Sequence, residues 1–523
     1  VGLEKISRWV GFRKIEIRGR QVYLNGTRIK LAGVCRHEYD PLTGRADTMR
    51  HAEPDLKLLK SINLNYVRTS HYPPPQELLD AADRLGVYVE VEAPFCWVGE
   101  SIDLTNLREV LTPTSAMVDY LHTHPSVLLW SIANESSFCK FFTFANKLLK
   151  ELDPTRPTTF NNPDPDRVCD LANIHYPGYP YDWNYQNDPR PILLGEYFFP
   201  VCHEQTDVRI NPGLRELWGH GHADPDSDWA KLCNTGFDFP IIRPGLRPGA
   251  WSRIYHSNRV IGGAIWAFTD EPFYFADGKR CGFAWVHGFW GMIDAWRRIK
   301  PEWELCRLIH SPVWFPKRTL DFVPGQKSVR IPLENRHAFT DCNELNFKWE
   351  LNQNTGLVKF NLPPGQAGEI EIPISNNTQV GDLLIIHATD SNGRLINMVP
   401  MQLGKSKPAV LPQPQAGVPK HSNNGQKVIL TATGFSCVID KETGNFDSTH
   451  PQHKLPVINF PTVHVTRYDF GDLAGPNALP YAEFPDTKTR TVKEVEIEEQ
   501  KEGVRVTIEE QYDKITGTIS WLI

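Results

Sequence analysis

Between residues 29 and 315 the apolar positions follow two alternating rhythms. Short unbroken apolar runs at 29–35, 64–69, 87–92, 127–133, 157–161, 171–176, 191–196 and 262–268 predict buried strands. Strands covered on both faces lose the two-residue alternation, and these runs show that loss. Stretches at 54–62, 76–85, 105–122 and 138–152 place apolar residues three and four apart, which predicts amphipathic helices. Eight strands interleaved with helices predict a (β/α)8 barrel over residues 19–316, with degenerate fifth and sixth units. Residues 200–250, rich in Pro, Gly, His and Asp, exceed an ordinary connector and predict a loop that shapes a pocket.

After Pro316 the helical rhythm stops. Alternating runs at 328–333, 346–351, 369–373 and 383–388, separated by Gly, Pro and Asn turns, predict a β-sandwich over 317–404. Residues 405–424 (KSKPAVLPQPQAGVPKHSNN) read as a Pro-rich linker. Alternation resumes over 425–523 and predicts the start of another, larger sandwich. The predicted class is therefore α/β plus β: a TIM barrel, a β-sandwich and a partial second sandwich.

Composition and charge remove several alternatives. A chain of 523 residues exceeds one hydrophobic core, so about two to four domains are expected. The net charge of −6, without a basic stripe, argues against a nucleic-acid partner. No apolar run reaches the roughly 18 residues of a membrane span, and the first residues, VGLEKISRWVGF, show no secretory signal pattern. The start at Val1 rather than Met predicts sequence upstream, so cytoplasmic and periplasmic locations both stay open, as does homo-oligomerisation. Ten scattered cysteines without a CxxC pair fit incidental thiols better than a zinc site or a disulfide framework.

The chemistry lies at two strand ends. The run VLLWSIANES, 127–136, ends in Asn134-Glu135, and PILLGEY, 191–197, ends in Glu196-Tyr197. Parallel barrels carry their active sites at the C-terminal ends of the strands. One glutamate alone reads equally well as a solvated strand end. Two glutamates at one barrel mouth are what retaining glycoside hydrolysis needs, one as acid/base and one as nucleophile. The many aromatic residues either stack on sugar faces or fill the core, and core filling is the default.

Seven segments resemble glycoside hydrolase family 2, nearest to the bacterial β-galactosidase type: NGTRIKLAGVCRHEYDP (25–41), NYVRTSHYPP (65–74), GVYVEVEA (86–93), WSIANES (130–136), IHYP (174–177), ILLGEY (192–197) and GGAIWAF (262–268). Residues 333–351 resemble the opening of that family's immunoglobulin-like domain after the barrel, and 434–444 the start of its terminal sandwich. The resemblance implies an exo-acting retaining β-glycosidase with Glu135 as general acid/base and Glu196 as nucleophile. It also implies that Asn134 holds the sugar 2-hydroxyl and that Tyr176 donates to the nucleophile. His37, Arg68, His71 and Trp266 then line the sugar subsite, with packing histidines and a barrel-filling Trp as the plain alternatives. An acid of this kind is expected to have a raised pKa and the nucleophile a lowered one. The family's domain order implies that residues 1–18 are the trailing edge of a preceding β-sandwich and that the last sandwich is cut short.

Four positions depart from the family pattern. Cys96 and Val98 stand where a carboxylate and a histidine bind Mg²⁺, so no metal and no cofactor are expected. Phe199 stands where a histidine touches substrate hydroxyls, and Trp290 where a sodium-binding asparagine is expected. The expected partner is a carbohydrate, with galactose selectivity weakened at Phe199. Other readings are a β-glucuronidase, a β-mannosidase or an arabinopyranosidase-like enzyme. A non-catalytic carbohydrate-binding relative and an incomplete, inactive fragment are the remaining ones.

Overall fold

The computed structural model describes residues 10–46, 48–100, 102–161, 164–175, 188–197, 250–274, 281–283, 291–299, 302–405, 420–432, 435–447, 449–452, 490–501, 503–512 and 515–522. It divides into two compact units, Val1–Lys405 and Ser406–Ile523. Among the described residues no helix is long and apolar enough to cross a membrane.

The first unit opens with an antiparallel ribbon of β1 (Ile15–Arg18), β2 (Gln21–Leu24) and β3 (Thr27–Arg28). Gly19, at φ +60, opens the two-residue turn that pairs Arg18 with Gln21. Positive φ at this position suits the twist of a tight hairpin. Val22 from the ribbon, with Ile29 and Leu31, joins Leu129, Leu193 and Ile261 in one buried cluster inside the barrel. Ile15–Arg18, within the stretch 1–18 expected to be the trailing edge of a preceding sandwich, pairs with the ribbon that leads into the barrel.

Eight parallel strands follow: β4 (Leu31–Arg36), β5 (Tyr66–Thr69), β6 (Tyr88–Glu92), β7 (Val127–Asn134), β8 (Thr158–Asn161), β9 (Ala172–His175), β10 (Ile192–Tyr197) and β11 (Val260–Ile265). Their hydrogen-bonded order is β8-β7-β6-β5-β4-β11-β10-β9, a nearly closed barrel. Every strand in the predicted set is present within a few residues of its expected bounds. The helices α1 (Ala52–Ser61), α2 (Gln76–Leu85), α3 (Leu107–Leu121) and α4 (Lys140–Leu152) lie where the three-and-four spacing put them. Their buried stripes, including Leu56, Leu79, Val118 and Phe142, belong to the cluster that also holds Val67, Val89 and Ile132 of the strands. Two further helices are α5 (Ala250–His256) and α6 (Glu302–Ile309).

The seam falls between β8 and β9, which only residues 162–171 separate. A parallel crossover needs about a dozen residues or more, so this link is too short for a helical return. One backbone bond, Leu171 N to Thr158 O at 3.1 Å, spans the gap. Side chains supply the rest: Asn173 Nδ2 donates to Thr159 Oγ1 at 3.1 Å, and His175 Nε2 meets Asn161 Oδ1 at 3.0 Å.

A short hairpin of β12 (Pro272–Tyr274) and β13 (Cys281–Phe283) follows β11. The β-sandwich then sets β14 (Val313–Trp314), β16 (Ser328–Asn335) and β19 (Ala367–Pro373) in one sheet. The other sheet holds β15 (Thr319–Leu320), β21 (Leu395–Leu403), β20 (Leu383–Thr389), β17 (Asn346–Leu351) and β18 (Asn354–Val358). Strict alternation turns Ile331, Phe347, Ile386 and Val399 into its core. Asn63 ties it to the barrel, donating to Arg307 O at 2.9 Å and Ile396 O at 2.8 Å.

The second unit pairs β22 (Lys420–Asn424), β23 (Lys427–Ala432), β24 (Phe435–Asp440) and β25 (Asn445–Phe446) in one sheet. Its other sheet holds β26 (Arg490–Gln500), β27 (Gly503–Tyr512) and β28 (Ile515–Leu522). The sequence reading ran the linker to residue 424, but residues 420–424 form a strand. Gly425 at φ +62 turns that strand onto β23, so exposed polar residues gain a ladder despite their low core-forming capacity. Residues 406–419 of the same stretch lie outside the described residues.

One glycine in the barrel wall tests its closeness of packing. Gly262 sits at φ +143, and a Cβ there would lie 2.0 Å from Leu31 O on the neighbouring strand. Gly262→Ala should therefore cost about 3 kcal/mol or more through combined overpacking and strain. Gly19→Ala, with nothing within 4 Å of its Cβ, should cost only about 1–2 kcal/mol for the left-handed backbone. Scanning calorimetry of both variants checks this ordering, and equal losses would contradict it.

Candidate active site

The strand ends converge on one buried guanidinium. Arg68, on β5, is 0% exposed and donates from Nη1 to Glu196 Oε1 at 2.8 Å. Its Nη2 donates to Glu92 Oε2 at 2.7 Å and to Asn134 Oδ1 at 2.7 Å, and its Nε to Glu92 Oε2 at 3.0 Å. Burial opposes its charge, but Glu92, Glu196 and Glu90 raise its pKa well above the ordinary value. It is a permanent cation at the base of the mouth.

Glu92 is itself fully buried on β6 and accepts further bonds from Ser131 Oγ at 2.8 Å and Asn161 Nδ2 at 2.6 Å. Its neighbour Glu90, two residues earlier on the same face of the strand, accepts from Tyr66 and from Asn161 Nδ2 at 3.1 Å. Burial raises the pKa of both carboxyls. Desolvation outweighs a single shared cation here.

Glu135 and Glu196 stand at different depths. The Glu196 side chain, on β10, is 6% exposed, while Glu135, just past β7, is 30% exposed. Glu135 takes a φ of +35, which turns the chain out of the strand while its N–H still bonds Asn161 O at 2.7 Å. Its Oε1 lies 2.8 Å from His175 Nδ1, and its Oε2 accepts from Trp97 Nε1 at 3.0 Å. Oxygen atoms of Glu135 and Glu196 and a nitrogen of His175 all lie within 4.8 Å of one another. The expectation of a raised pKa for Glu135 is not met. Burial pushes it up, but the hydrogen bond and charge of His175, then the Trp97 bond, win and bring it down to about 2.

The predicted subsite residues gather on the other side. Trp266 stacks on His71 at 5.3 Å with the planes 5° apart, and His37 meets both rings edge-on. His71 Nδ1 lies 2.8 Å from Glu92 Oε1, and burial holds its pKa down to about 3. Burial likewise lowers His37. Both are neutral rings forming a wall. Asn134 has its amide oxygen on Arg68 and its Nδ2 on Cys96 Sγ at 3.3 Å. The structure thus brings Glu135, Glu196, Asn134, Arg68, His37, His71 and Trp266 together, while Tyr176, Phe199 and Trp290 lie outside the described residues.

Glu90, Glu92, Asn161, His175 and Trp97 escaped the sequence reading. A signal existed for the first two: carboxylates at alternate positions of the apolar run VYVEVE are too costly to bury without partners. Gly195 shows how tightly the set is packed. A Cβ there would lie 2.2 Å from Asn161 Oδ1, 2.3 Å from Asn173 Oδ1 and 2.8 Å from His175 Nε2.

The donors beside Glu135 do not fit Mg²⁺. Cys96 is a thiol whose pKa burial raises, and Val98 offers no ligand atom. Hard cations require oxygen. Two trios have metal-like spacing among the described residues, Asp80–Asp83–His124 and Glu135–His175–Glu196. We assign neither as a metal centre: the first pairs internally, His124 with Asp83 at 2.8 Å, and the second is the carboxylate pair itself.

Residues 15–202 match the family model described as glycosyl hydrolases family 2, TIM barrel domain. The β-galactosidase of Priestia megaterium is 26% identical over 487 residues, covering 85% of this chain and 43% of that protein. A putative β-glucuronidase of Formosa agariphila is 32% identical over 302 residues, covering 51% of this chain and 36% of that one. A solved family 2 β-galacturonidase from Eisenbergiella tayi, bound to galacturonate, is similar at 21% identity and a TM-score of 0.43, with 58% and 55% of the two chains covered. The chain spans less than half the length of these curated relatives. The parallel barrel and the family-model match agree: residues 15–202 belong to a glycosyl hydrolase family 2 TIM barrel domain.

Proposed function

We propose that this chain carries the catalytic centre of an exo-acting retaining β-glycosidase of β-galactosidase-like character, with Glu196 as nucleophile and Glu135 as acid/base. The observation that carries the reading is the spacing of the two carboxylates, with oxygen atoms within 4.8 Å across the barrel mouth. Retaining chemistry uses carboxyls about 5–5.5 Å apart, whereas inverting chemistry needs about 6.5–9.5 Å to admit a water. Arg68 holds Glu196 Oε1 and so orients the attacking group. The amide of Asn134, with its oxygen fixed by Arg68, presents its NH₂ toward the sugar's 2-hydroxyl. The Trp266–His71–His37 wall supports the apolar face of the sugar. Trp97, 59% exposed and bonded to Glu135, marks the leaving-group side.

In the first step Glu196 bonds the anomeric carbon as the glycosidic C–O bond breaks, and the departing oxygen takes the electron pair and a proton from Glu135. In the second, water bonds the anomeric carbon, its proton returns to Glu135, and the ester pair returns to Glu196. Glu196→Gln should abolish turnover for every substrate, because no ester can form. Glu135→Ala should keep the first step on dinitrophenyl glycosides and lose it on alkyl glycosides, and azide should then yield the β-glycosyl azide. Product analysis by NMR checks this. Rescue of the Glu196 variant with inverted product would show the roles exchanged.

Chelation is the second test. With Cys96 and Val98 at the expected Mg²⁺ positions, activity should survive dialysis against EDTA. Loss that Mg²⁺ alone restores would reveal another site.

The third test concerns the sugar. A phenyl ring at Phe199 accepts no hydrogen bond, and a substrate hydroxyl left unpaired costs about 1–3 kcal/mol. Nitrophenyl β-galactoside should therefore lose its advantage over the β-fucoside by about tenfold or more in kcat/KM, with the β-glucuronide as the third arm. Strong galactoside selectivity would refute this.

A further inference from the structure

Asn161 fixes which nitrogen of His175 carries a proton. The two hydrogens on its Nδ2 are shared among three acceptors, Glu92 Oε2 at 2.6 Å, Ser131 Oγ at 2.6 Å and Glu90 Oε1 at 3.1 Å. Its Oδ1 is the atom facing His175 Nε2, at 3.0 Å. An amide oxygen only accepts, so Nε2 must be the N–H donor. That leaves Nδ1 opposite Glu135 Oε1 at 2.8 Å. Two states satisfy this contact, and each holds one proton. Either His175 is an imidazolium donating to the carboxylate, or a protonated Glu135 donates to neutral Nδ1.

Resting on the reading of Glu135 as acid/base, we propose that His175 is a positioning residue that stores the acid's proton, the His175–Glu135 pair sharing one proton that Asn161 keeps on the Nδ1 side. The low pKa of Glu135 belongs to the imidazolium form of this pair. As the glycosidic bond breaks, the proton passes from Nδ1 to the carboxylate and on to the departing oxygen. When water hydrolyses the Glu196 ester, its proton refills the pair and its oxygen stays on the sugar.

The charged and titratable groups facing the ring come from several strands. Glu196 Oε1 lies 3.7 Å from Nδ1, from β10. Arg68 and His71 face the pair from β5 and the segment after it, and Glu92, with Glu90 behind it, from β6. Gly195 makes the approach feasible, since a Cβ there would collide with both Asn161 and His175.

The test compares the pH dependence of kcat/KM in the wild type, His175→Gln and His175→Ala on an alkyl glycoside. Glutamine still donates to Glu135 but cannot store a proton. Both variants should lose the alkaline limb about 2 pH units earlier, the interval between ordinary imidazole and carboxyl ionisation. On a dinitrophenyl glycoside, whose departure needs no acid, the first step should show no such shift. A wild-type profile in His175→Gln would overturn the proposal and leave a purely spatial role. An independent readout is the histidine ¹⁵N spectrum, with the His175 signals assigned from their loss in His175→Gln. Nε2 should stay protonated while Nδ1 titrates, and Glu135→Gln should lower that titration. An Nε2 that loses its proton first would also overturn it. If Glu135→Ala leaves alkyl-glycoside turnover intact, the acid/base reading itself has failed, an outcome distinct from either of these.

Discussion

The centre of this barrel depends on one fully buried cation. Arg68 touches Glu92, Glu196 and Asn134 directly and lies 3.9 Å from Glu90, so one guanidinium organises side chains from three further strands. A planar fork with several donors does this; an ammonium point charge could not hold three directions at once. Removing one partner of a buried charge set costs about 3–5 kcal/mol, because the others are left uncompensated. Here the uncompensated groups would be carboxylates at the chemical centre, so folding energy and site geometry share the same bonds.

The two carboxylates that flank this cation differ by environment. Glu196 lies deep and is oriented by Arg68, while Glu135 sits nearer the rim between an imidazole and an indole. Identical side chains thus acquire different neighbours from their depth on strand ends that face each other across the seam, with β8 and β9 between them. The neutral wall of Trp266, His71 and His37 faces them, and its two histidines are kept uncharged by burial.

Much of the fold was legible because periodicity is a local signal. The unbroken apolar runs gave the eight strands, and spacing of three and four gave α1 to α4. Glu135 and Glu196 were visible because a carboxylate ending an apolar run is conspicuous. Asn161 and His175 were not, since nothing within a few residues of either declares a partner on a neighbouring strand. The low pKa of Glu135 also escaped, because its cause lies on β9, 40 residues away. At Ile15–Arg18 and at Lys420–Asn424 turn glycines, rather than apolar pattern, set the pairing.

The seam between β8 and β9 carries a consequence for how damage to this protein would be noticed. Its closure depends on Asn161, Asn173 and His175, and two of these also aim or support Glu135. A perturbation that parts the strands by a fraction of an ångström would misalign the carboxylate before it exposed any core. The hydrophobic interior, held by helices elsewhere on the wall, would still report an intact molecule. Catalytic rate would then act as the strain gauge of the barrel, registering a loosened joint that calorimetry reads as sound.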